Sequence, residues 1–387
     1  MNVLMMVSWF GETAGAEKGG GFHYEQAVDL NRFCNCAIYY PYDRNIEESF
    51  VSRIEGGILV YRSKYCLPQK VRNRLFMFGA MKKIVKEFHP DIIHGNVATE
   101  SGRFAVMLGK LFHIPVIITE HSSTKGSGVD CFPHYYYAKF AYRHSLYNAC
   151  VSDDLKNNLE KIFPQYFFHT IYNGIKISQV VNCDVKLYKK NNYVNVGMVA
   201  GFYSREIKGV QFVLPALRKM LDEGYNVFLH IMGGGGYLNE YIDLAKTLGV
   251  SDNCLFYGLC DKNKLFAIES EMDFVISASL FESFGCAIAE AAMLGKPIVA
   301  SKSGGVESIV NPQNGILVET GSTEAIYNGM KLMYGKYMAY DSKKIAEEAK
   351  GKFAISKVSK KYIEIYEKVL DQYQKKGGRM GKKGTGR

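Results

Sequence analysis

Asp273-Phe-Val-Ile-Ser-Ala-Ser-Leu-Phe-Glu282-Ser-Phe-Gly285-Cys286-Ala-Ile-Ala-Glu290-Ala-Ala-Met-Leu-Gly295-Lys-Pro297-Ile-Val-Ala-Ser-Lys-Ser-Gly304-Gly305 is the stretch that decides the fold. The apolar run Phe274 to Ile276 reads as a buried parallel strand. A turn follows, carrying Glu282, Ser283 and Gly285. A small-residue helix then runs from Cys286 to Met293 and is stopped by Gly295 and Pro297. Pro297 to Ala300 gives the next strand, and Ser303, Gly304 and Gly305 the next loop. In open parallel sheets, ligands bind at the carboxyl ends of the strands, where these loops lie.

Glu282 and Glu290 are the first site candidates. Eight residues of helix span roughly 12 Å, so such a pair suits two parts of an elongated polar ligand, for example a sugar hydroxyl and a ribose. The gap is too wide for the paired carboxylates of a retaining glycosidase, which sit about 5–5.5 Å apart. The amides of Ser283, Phe284 and Gly285 lie at the helix start, where phosphate oxygens are favoured. A cap role for Glu282 and a surface position for Glu290 compete with this reading. Against the second stand the neighbours of Glu290, which are Ala287, Ile288, Ala289, Ala291, Ala292 and Met293. A carboxylate in so apolar a helix is usually paired or functional.

The order Glu-x7-Glu, then Gly-Lys-Pro-Ile-Val, then Gly-Gly-x-x-Glu, resembles the donor-site signature of retaining glycosyltransferase family four. The resemblance implies an α/β protein of the GT-B fold, with two Rossmann-like domains whose parallel sheets face each other across a cleft. It implies that Glu290 binds the donor ribose and Glu282 the donor sugar. It can be followed from residue 1 to about residue 372. The expected division is 1–176 for the acceptor-side domain and 177–355 for the nucleotide-sugar domain. A helix over 356–374 should cross back to the first domain, followed by a basic disordered tail over 375–387.

The chain has 387 residues, enough for two domains with sizeable cores. Its net charge of +10 fits anionic partners such as nucleotide diphosphates or an anionic membrane face. Without a zinc-finger, helix-turn-helix or RRM pattern, nucleic acid is not expected. Nine scattered cysteines without a Cys-x-x-Cys read as free thiols in a reducing cytoplasm. Met1 to Phe10 is apolar but lacks a basic flank and reads as a first strand, not a signal peptide. No apolar run is long enough for a spanning helix.

Asn2 to Ser8 should form strand one, followed by a glycine-rich loop and a helix from Phe22 to Phe33. The loop could admit a phosphate or be a surface turn; by resemblance Gly20 and Gly21 would face the donor. Further strands are expected over Ala37–Tyr40 and Ile58–Tyr61. Tyr65 to Lys82 interleaves Arg72, Arg74 and Lys82 with Phe76, Met77 and Phe78. Such a segment could rest on an anionic bilayer or be an ordinary solvated helix. His89 to Gly95 reads as strand and loop, Glu100 to Phe112 as a helix, and Ile114 to Thr119 as a buried strand running into Glu120 and His121. His121 therefore sits where functional side chains gather, or caps a turn. By resemblance it is the family's strand-end histidine, in the cleft near the donor sugar, and His94 is a second cleft candidate. The aromatic run Tyr135 to Tyr147 reads as packing. Ser152 should cap the helix at Asp153, and Asp153-Asp154 reads as a helix start rather than a metal site. Tyr172-Asn173-Gly174-Ile175 resembles the family's closing motif, except that Lys176 replaces its acid.

The linker is placed over 176–192. Gly201-Phe-Tyr-Ser-Arg205-Glu-Ile-Lys208-Gly209 resembles the family's diphosphate loop, which carries an arginine directly after its first glycine. Lys208 matches, whereas Phe202 stands where the arginine would and Arg205 comes three residues later. Arg205 either reaches the same oxygens or is a solvated charge. Gly233 to Gly236 corresponds to the family's second glycine loop, and Gly258 and Leu259 to the loop against the base. Gly304 to Glu307 offers amides to a diphosphate or forms a tight turn.

These residues point to a cytoplasmic glycosyltransferase. It moves a sugar with retention from a nucleotide-diphosphate sugar to a hydroxyl acceptor, in cell-surface polysaccharide or glycolipid synthesis. The acceptor is a saccharide or a lipid-linked saccharide. His121, Glu282, Lys208 and Arg205 are the catalytic candidates. Glu290, Ser283, Phe284, Gly285, Gly233, Gly258, Leu259, Gly20 and Gly21 are the donor-binding ones. No Asp-x-Asp occurs, so neither metal nor cofactor is expected, and fixed cations must stabilise the departing diphosphate. The alternatives are another GT-B enzyme, such as a sugar-nucleotide epimerase, or a scaffold that binds nucleotide sugars without catalysis.

Overall fold

A computed structural model describes residues 1–11, 21–67, 70–124, 129–177 and 192–377. Two compact units emerge: Met1–Gly174 with the segment from Ile355 onward, and Ile175–Ala354. The boundaries thus fall slightly earlier than the expected 176 and 355.

The first unit is built on an eight-stranded sheet of order β3-β4-β2-β1-β5-β6-β7-β8. Its strands are β1 (Asn2–Met6), β2 (Asn35–Asp43), β3 (Phe50–Glu55), β4 (Ile58–Lys64), β5 (Ile92–Asn96), β6 (Val116–Glu120), β7 (Tyr147–Cys150) and β8 (His169–Thr170). All neighbours pair in parallel except β3 with β4. Val3, Leu4, Met5 and Met6 are fully buried, as continuous apolar strands between two helical layers must be. Helices α1 (Gly21–Leu30), α2 (Lys70–Phe88), α3 (Arg103–Phe112), α4 (His134–His144) and α5 (Asp153–Ile162) complete the Rossmann-like pattern. Ser152 caps α5, its hydroxyl accepting from the Leu155 amide at 3.2 Å.

The expected helix over Glu100–Phe112 is split. A five-residue π-helical turn, Ala98–Gly102, precedes α3, and Glu100 within it leaves helical geometry at φ −117°, ψ −109°. The aromatic run is only partly packing: Tyr142 is buried, whereas Tyr136 and Phe140 are exposed.

The second unit carries a six-stranded parallel sheet of order β11-β10-β9-β12-β13-β14. Its strands are β9 (Val194–Val199), β10 (Val227–Met232), β11 (Cys254–Phe256), β12 (Phe274–Ser277), β13 (Ile298–Ser301) and β14 (Gly315–Val318). The helices are α6 (Val210–Asp222), α7 (Leu238–Thr247), α8 (Lys262–Ser270), α9 (Cys286–Met293), α10 (Thr323–Tyr334) and α11 (Ser342–Phe353). The opening stretch is β12, α9 and β13, as its punctuation required.

The last helix, α12 (Ile355–Lys375), packs on the first unit. Val358, Tyr362, Tyr366 and Val369 line one stripe of it and join the core of β1, β2, β5 and α1. The expected tail therefore begins later, since Lys375 closes the helix, and from 378 on it lies outside the described residues.

Each sheet has one point where the strand order reverses direction: between β1 and β5 in the first unit and between β9 and β12 in the second. Ligand crevices of open α/β sheets open outside the carboxyl ends of such strand pairs. At the second switch point Gly209 caps α6 with φ +70°, and a Cβ there would lie 1.9 Å from the Ala278 carbonyl oxygen. Gly209→Ala is therefore expected to destabilise the protein by about 2–4 kcal/mol, combining left-handed strain with overpacking. Urea denaturation checks this, and an unchanged midpoint would show that the loop yields freely.

Candidate active site

In the second unit the loops leaving β9 and β12 are zipped together. The Leu280 amide donates to the Ile207 carbonyl at 2.8 Å. Lys208 Nζ donates to Glu282 Oε1 at 2.6 Å, and Ser279 Oγ donates to the same oxygen at 2.9 Å. The Glu282 amide donates to the Ser303 carbonyl and its carbonyl accepts from the Gly305 amide, each at 2.8 Å. Glu282 is thus fixed between three loops, with both side-chain contacts on Oε1. Lys208 and Glu282 are partly exposed, so a ligand can reach both charges.

The helix that follows starts at Gly285, with φ +96° and no capping side chain. Its first amides lack intrahelical acceptors by construction and carry the positive end of the helix dipole. Ser283, Phe284 and Gly285 lead into this start. The glycine turn next to it has a different role. The Gly304 amide donates to Glu307 at 2.8 Å and the Gly305 amide to Glu282 at 2.8 Å. Of the two sequence readings of Gly304 to Glu307, the tight turn is the one the geometry supports.

Glu290 is buried on α9, with Lys262 Nζ of α8 3.6 Å away. Glu269 of α8, which feels the Glu290 charge, is wholly buried with neither oxygen hydrogen-bonded, and no motif marks it. Burial pushes its pKa well up, the Glu290 charge pushes it further, and Lys296 opposes both. The signal was present: Phe266-Ala267-Ile268-Glu269 surrounds a carboxyl with apolar residues, as around Glu290.

Gly233, Gly258 and Leu259 come together at the carboxyl ends of β10 and β11. The Gly233 amide donates to the Gly258 carbonyl at 2.9 Å. Leu259 is 54% exposed although apolar, as a residue offered to a flat ligand would be. Arg205 is not gathered in. It is exposed and pairs with Glu240 at 3.0 Å instead of Glu282. The reason lies in Phe202, which fills the core beside Tyr241 and Phe256. An arginine at that position would be buried.

In the first unit His121 follows β6 and is 7% exposed. Its backbone is held by Glu120, whose carboxylate accepts from the amides of Ala98, His121 and Ser122 and from the Tyr142 hydroxyl. Burial raises the Glu120 pKa against these four donors. His121 Nε2 lies 2.9 Å from Asn96 Oδ1. The His23 ring of α1 meets the His121 ring edge-on at 5.1 Å. His94 is enclosed by Tyr366 at 2.8 Å and Thr119 at 2.7 Å. Gly21 opens α1, while Gly20 lies outside the described residues.

Burial lowers the pKa of His94 to about 3, with His121 adding to the effect. Burial likewise lowers His121 to about 3, opposed by Asn173. Unfolded imidazoles take up a proton near 6.5. Between these values the unfolded chain binds more protons than the folded one, so stability falls as pH drops below about 6.5. Each ring accounts for up to about 1.4 kcal/mol per pH unit, until the loss levels off near the folded pKa. Urea midpoints at pH 7.5 and 5.5 should show this, with a shallower fall in His94→Gln. Equal slopes would show that His94 is charged in the fold.

A family profile of glycosyltransferase family 4 matches residues 34–179, and one of glycosyl transferases group 1 matches residues 186–351. The chain belongs to glycosyltransferase family 4. A glycosyltransferase of Methanocaldococcus jannaschii is 26% identical over 87% of this chain and 97% of its own length. The alpha-monoglucosyldiacylglycerol synthase of Streptococcus pneumoniae is 24% identical over 59% of this chain and 56% of its own. Among solved structures, sucrose-phosphate synthase from Thermosynechococcus elongatus superposes with a TM-score of 0.77 at 14% identity, covering 96% of this chain and 99% of that one. Anabaena HepE in complex with UDP gives 0.73 at 18% identity, covering 95% and 100%. The enzyme therefore has the GT-B fold, as the opening stretch implied, and is a glycosyltransferase.

Proposed function

We propose that this glycosyltransferase takes a nucleotide-diphosphate sugar on its second unit and transfers the sugar, with retention and without metal, to a hydroxyl of a saccharide or lipid-linked saccharide. The carrying observation is the Lys208–Glu282 pair at the β9/β12 switch point, beside an uncapped helix start. On donor binding, Lys208 turns from Glu282 to the diphosphate and the released carboxylate accepts from sugar hydroxyls. The amides at Ser283 to Gly285 hold the other phosphate oxygens. Glu290 accepts from the ribose hydroxyls, and the backbone at Gly233 and Gly258 with Leu259 lines the base. Arg205 joins only by leaving Glu240. His121 is the catalytic candidate of the first unit.

The bond from the anomeric carbon to the phosphate oxygen breaks, and the acceptor oxygen bonds to that carbon on the same face. The acceptor proton goes to the leaving phosphate. The charge gathering there is what Lys208 and the helix start stabilise. HepE was solved with UDP and with UDP-glucose, and relatives include a glycolipid synthase. These support a nucleotide-sugar donor and a role in surface glycan or glycolipid assembly.

We also assign α2 to an anionic membrane face. Among the described residues no helix is long and apolar enough to cross a membrane. Yet Leu67, Val71 and Leu75 are exposed beside the cations Arg72 and Arg74, which suits interfacial binding. Cosedimentation with phosphatidylglycerol vesicles should fall when Val71 and Leu75 are both changed to Ser.

The transfer reading is tested by incubating the enzyme with a panel of nucleotide sugars, acceptor glycans and excess EDTA. Nucleoside diphosphate release and the product anomer, read by NMR, are the observables. Release with an anomer matching the donor is the expected result. Binding without release would favour the scaffold, for which the pairing of Arg205 with Glu240 is the supporting observation.

A further inference from the structure

A polar chain that no motif singles out crosses the sheet of the second unit. Asn195 of β9, His230 of β10 and Tyr257, the first residue after β11, supply it, and the first two are buried. Asn195 Nδ2 donates to the Tyr193 carbonyl at 2.9 Å, which turns Oδ1 to His230 Nε2 at 3.0 Å. Register sets His230 opposite Gly197, which has no side chain to stand between the two. An amide oxygen only accepts, so the hydrogen between them sits on Nε2. In the neutral ring Nδ1 then keeps a lone pair. The Tyr257 hydroxyl lies 2.9 Å from Nδ1 and fills it as the donor. Burial raises the Tyr257 pKa to about 12, with Cys260 adding to the effect, so the hydroxyl keeps its proton at neutral pH. The donors therefore all point one way, from Tyr257 through His230 and Asn195 to the Tyr193 carbonyl.

The chain ends at the edge of the sheet. Among the described residues β11 is three residues long and has a strand neighbour on one side only. The loop that leaves it carries Gly258, at φ +68°, and Leu259. Two backbone bonds tie this loop to β10 and its end: the Tyr257 amide donates to the Ile231 carbonyl and the Gly233 amide to the Gly258 carbonyl, each at 2.9 Å. The Tyr257 side chain adds a tie off the backbone ladder. Its ring packs against Met232, Ile268 and Met272, and its hydroxyl is held by His230. We propose that Tyr257 and His230, with Asn195 behind them, are positioning residues for donor binding, which fix the Gly258–Leu259 loop in the conformation that receives the nucleobase. This rests on the assignment of that loop to the base. The three residues act through the loop, so they set donor affinity and leave the chemical step alone.

Tyr257→Phe removes one hydroxyl and keeps the ring. Calorimetry with uridine, adenosine, guanosine and cytidine diphosphates should show that the one wild type prefers binds this variant about tenfold more weakly, the size of one lost hydrogen bond of about 1.4 kcal/mol. Donor KM should rise by the same factor with kcat unchanged, the mark of lost uniform binding. The double variant Tyr257→Phe/His230→Leu should bind no more weakly than His230→Leu alone, since a single chain is broken only once. Nitrogen-15 NMR of histidine-labelled wild type at pH 7 should show one ring, absent in His230→Leu, with Nε2 protonated and Nδ1 bare. A hydroxyl that serves stability alone would lower the urea midpoint of Tyr257→Phe and leave affinity and KM as they were, and that result overturns the proposal. So do Nδ1–H in wild type, additive losses in the double variant, or a fall in kcat without a change in KM. If wild type binds none of the nucleotides, the base assignment falls and the proposal with it. If Glu290→Ala weakens nucleotide binding while Tyr257→Phe does not, only the role of Tyr257 and His230 falls.

Discussion

Lys208→Ala is expected to lower kcat by about 10²–10³-fold, or roughly 3–4 kcal/mol of transition-state stabilisation. Lys208 is the cation that the fold itself delivers to the β9/β12 switch point, bonded to Glu282 at 2.6 Å. Arg205 cannot replace it from its pair with Glu240. The substitution leaves Glu282 with Ser279 as hydroxyl partner and should hardly change stability, because the pair is partly solvated and such pairs contribute little. Steady-state turnover beside a urea titration separates the two effects. A loss of rate below threefold would place the diphosphate elsewhere.

Arg62→Ala should have the largest effect on stability, about 3–5 kcal/mol. Arg62 is fully buried on β4. Its guanidinium donates to Asp43 at 2.8 Å, to both oxygens of Glu55 at 2.8 Å, and to the Gly11 carbonyl at 3.0 Å. Its plane also lies over the Phe10 ring at 5.1 Å. Removing it leaves Asp43 without its cation and Glu55 with the half-exposed Arg53 at 3.3 Å, which costs more than the pair itself contributes. Urea denaturation monitored by circular dichroism should show a much lower midpoint in Arg62→Ala. An intact midpoint would mean that water replaces the guanidinium.

The second unit was the more legible. Short apolar runs ended by glycine or proline fix β12, α9 and β13, because parallel strands buried on both faces admit little else. Those runs carry Glu282, Glu290 and the helix start with them. Less visible was β3, a polar and partly exposed edge strand whose Ser52 and Arg53 give no apolar signal. The start of α3 escaped because Val97 takes φ +65° and Glu100 breaks the turn, local geometry set by packing rather than propensity. Arg62, just past the expected strand Ile58–Tyr61, gives no sign of burial until strand pairing brings Asp43 and Glu55 to it. The same holds for Asn96, which meets the Met6 carbonyl of β1 and the His121 ring after β6 only once the sheet has formed. Phe202 shows the converse: a departure from the family pattern that is legible in the sequence acquires a cause only when its ring is found in the core.

The central claim is that the donor nucleotide is held by the second unit through Glu290. Calorimetric titration of wild type and Glu290→Ala with a panel of nucleoside diphosphates and their sugars, in EDTA, tests it most directly. The account predicts that one nucleotide series binds wild type and that Glu290→Ala weakens it at least about tenfold, or 1.4 kcal/mol, with the fold intact by circular dichroism. Equal affinity in the two proteins, or no binding of any nucleotide at millimolar concentration, would contradict it.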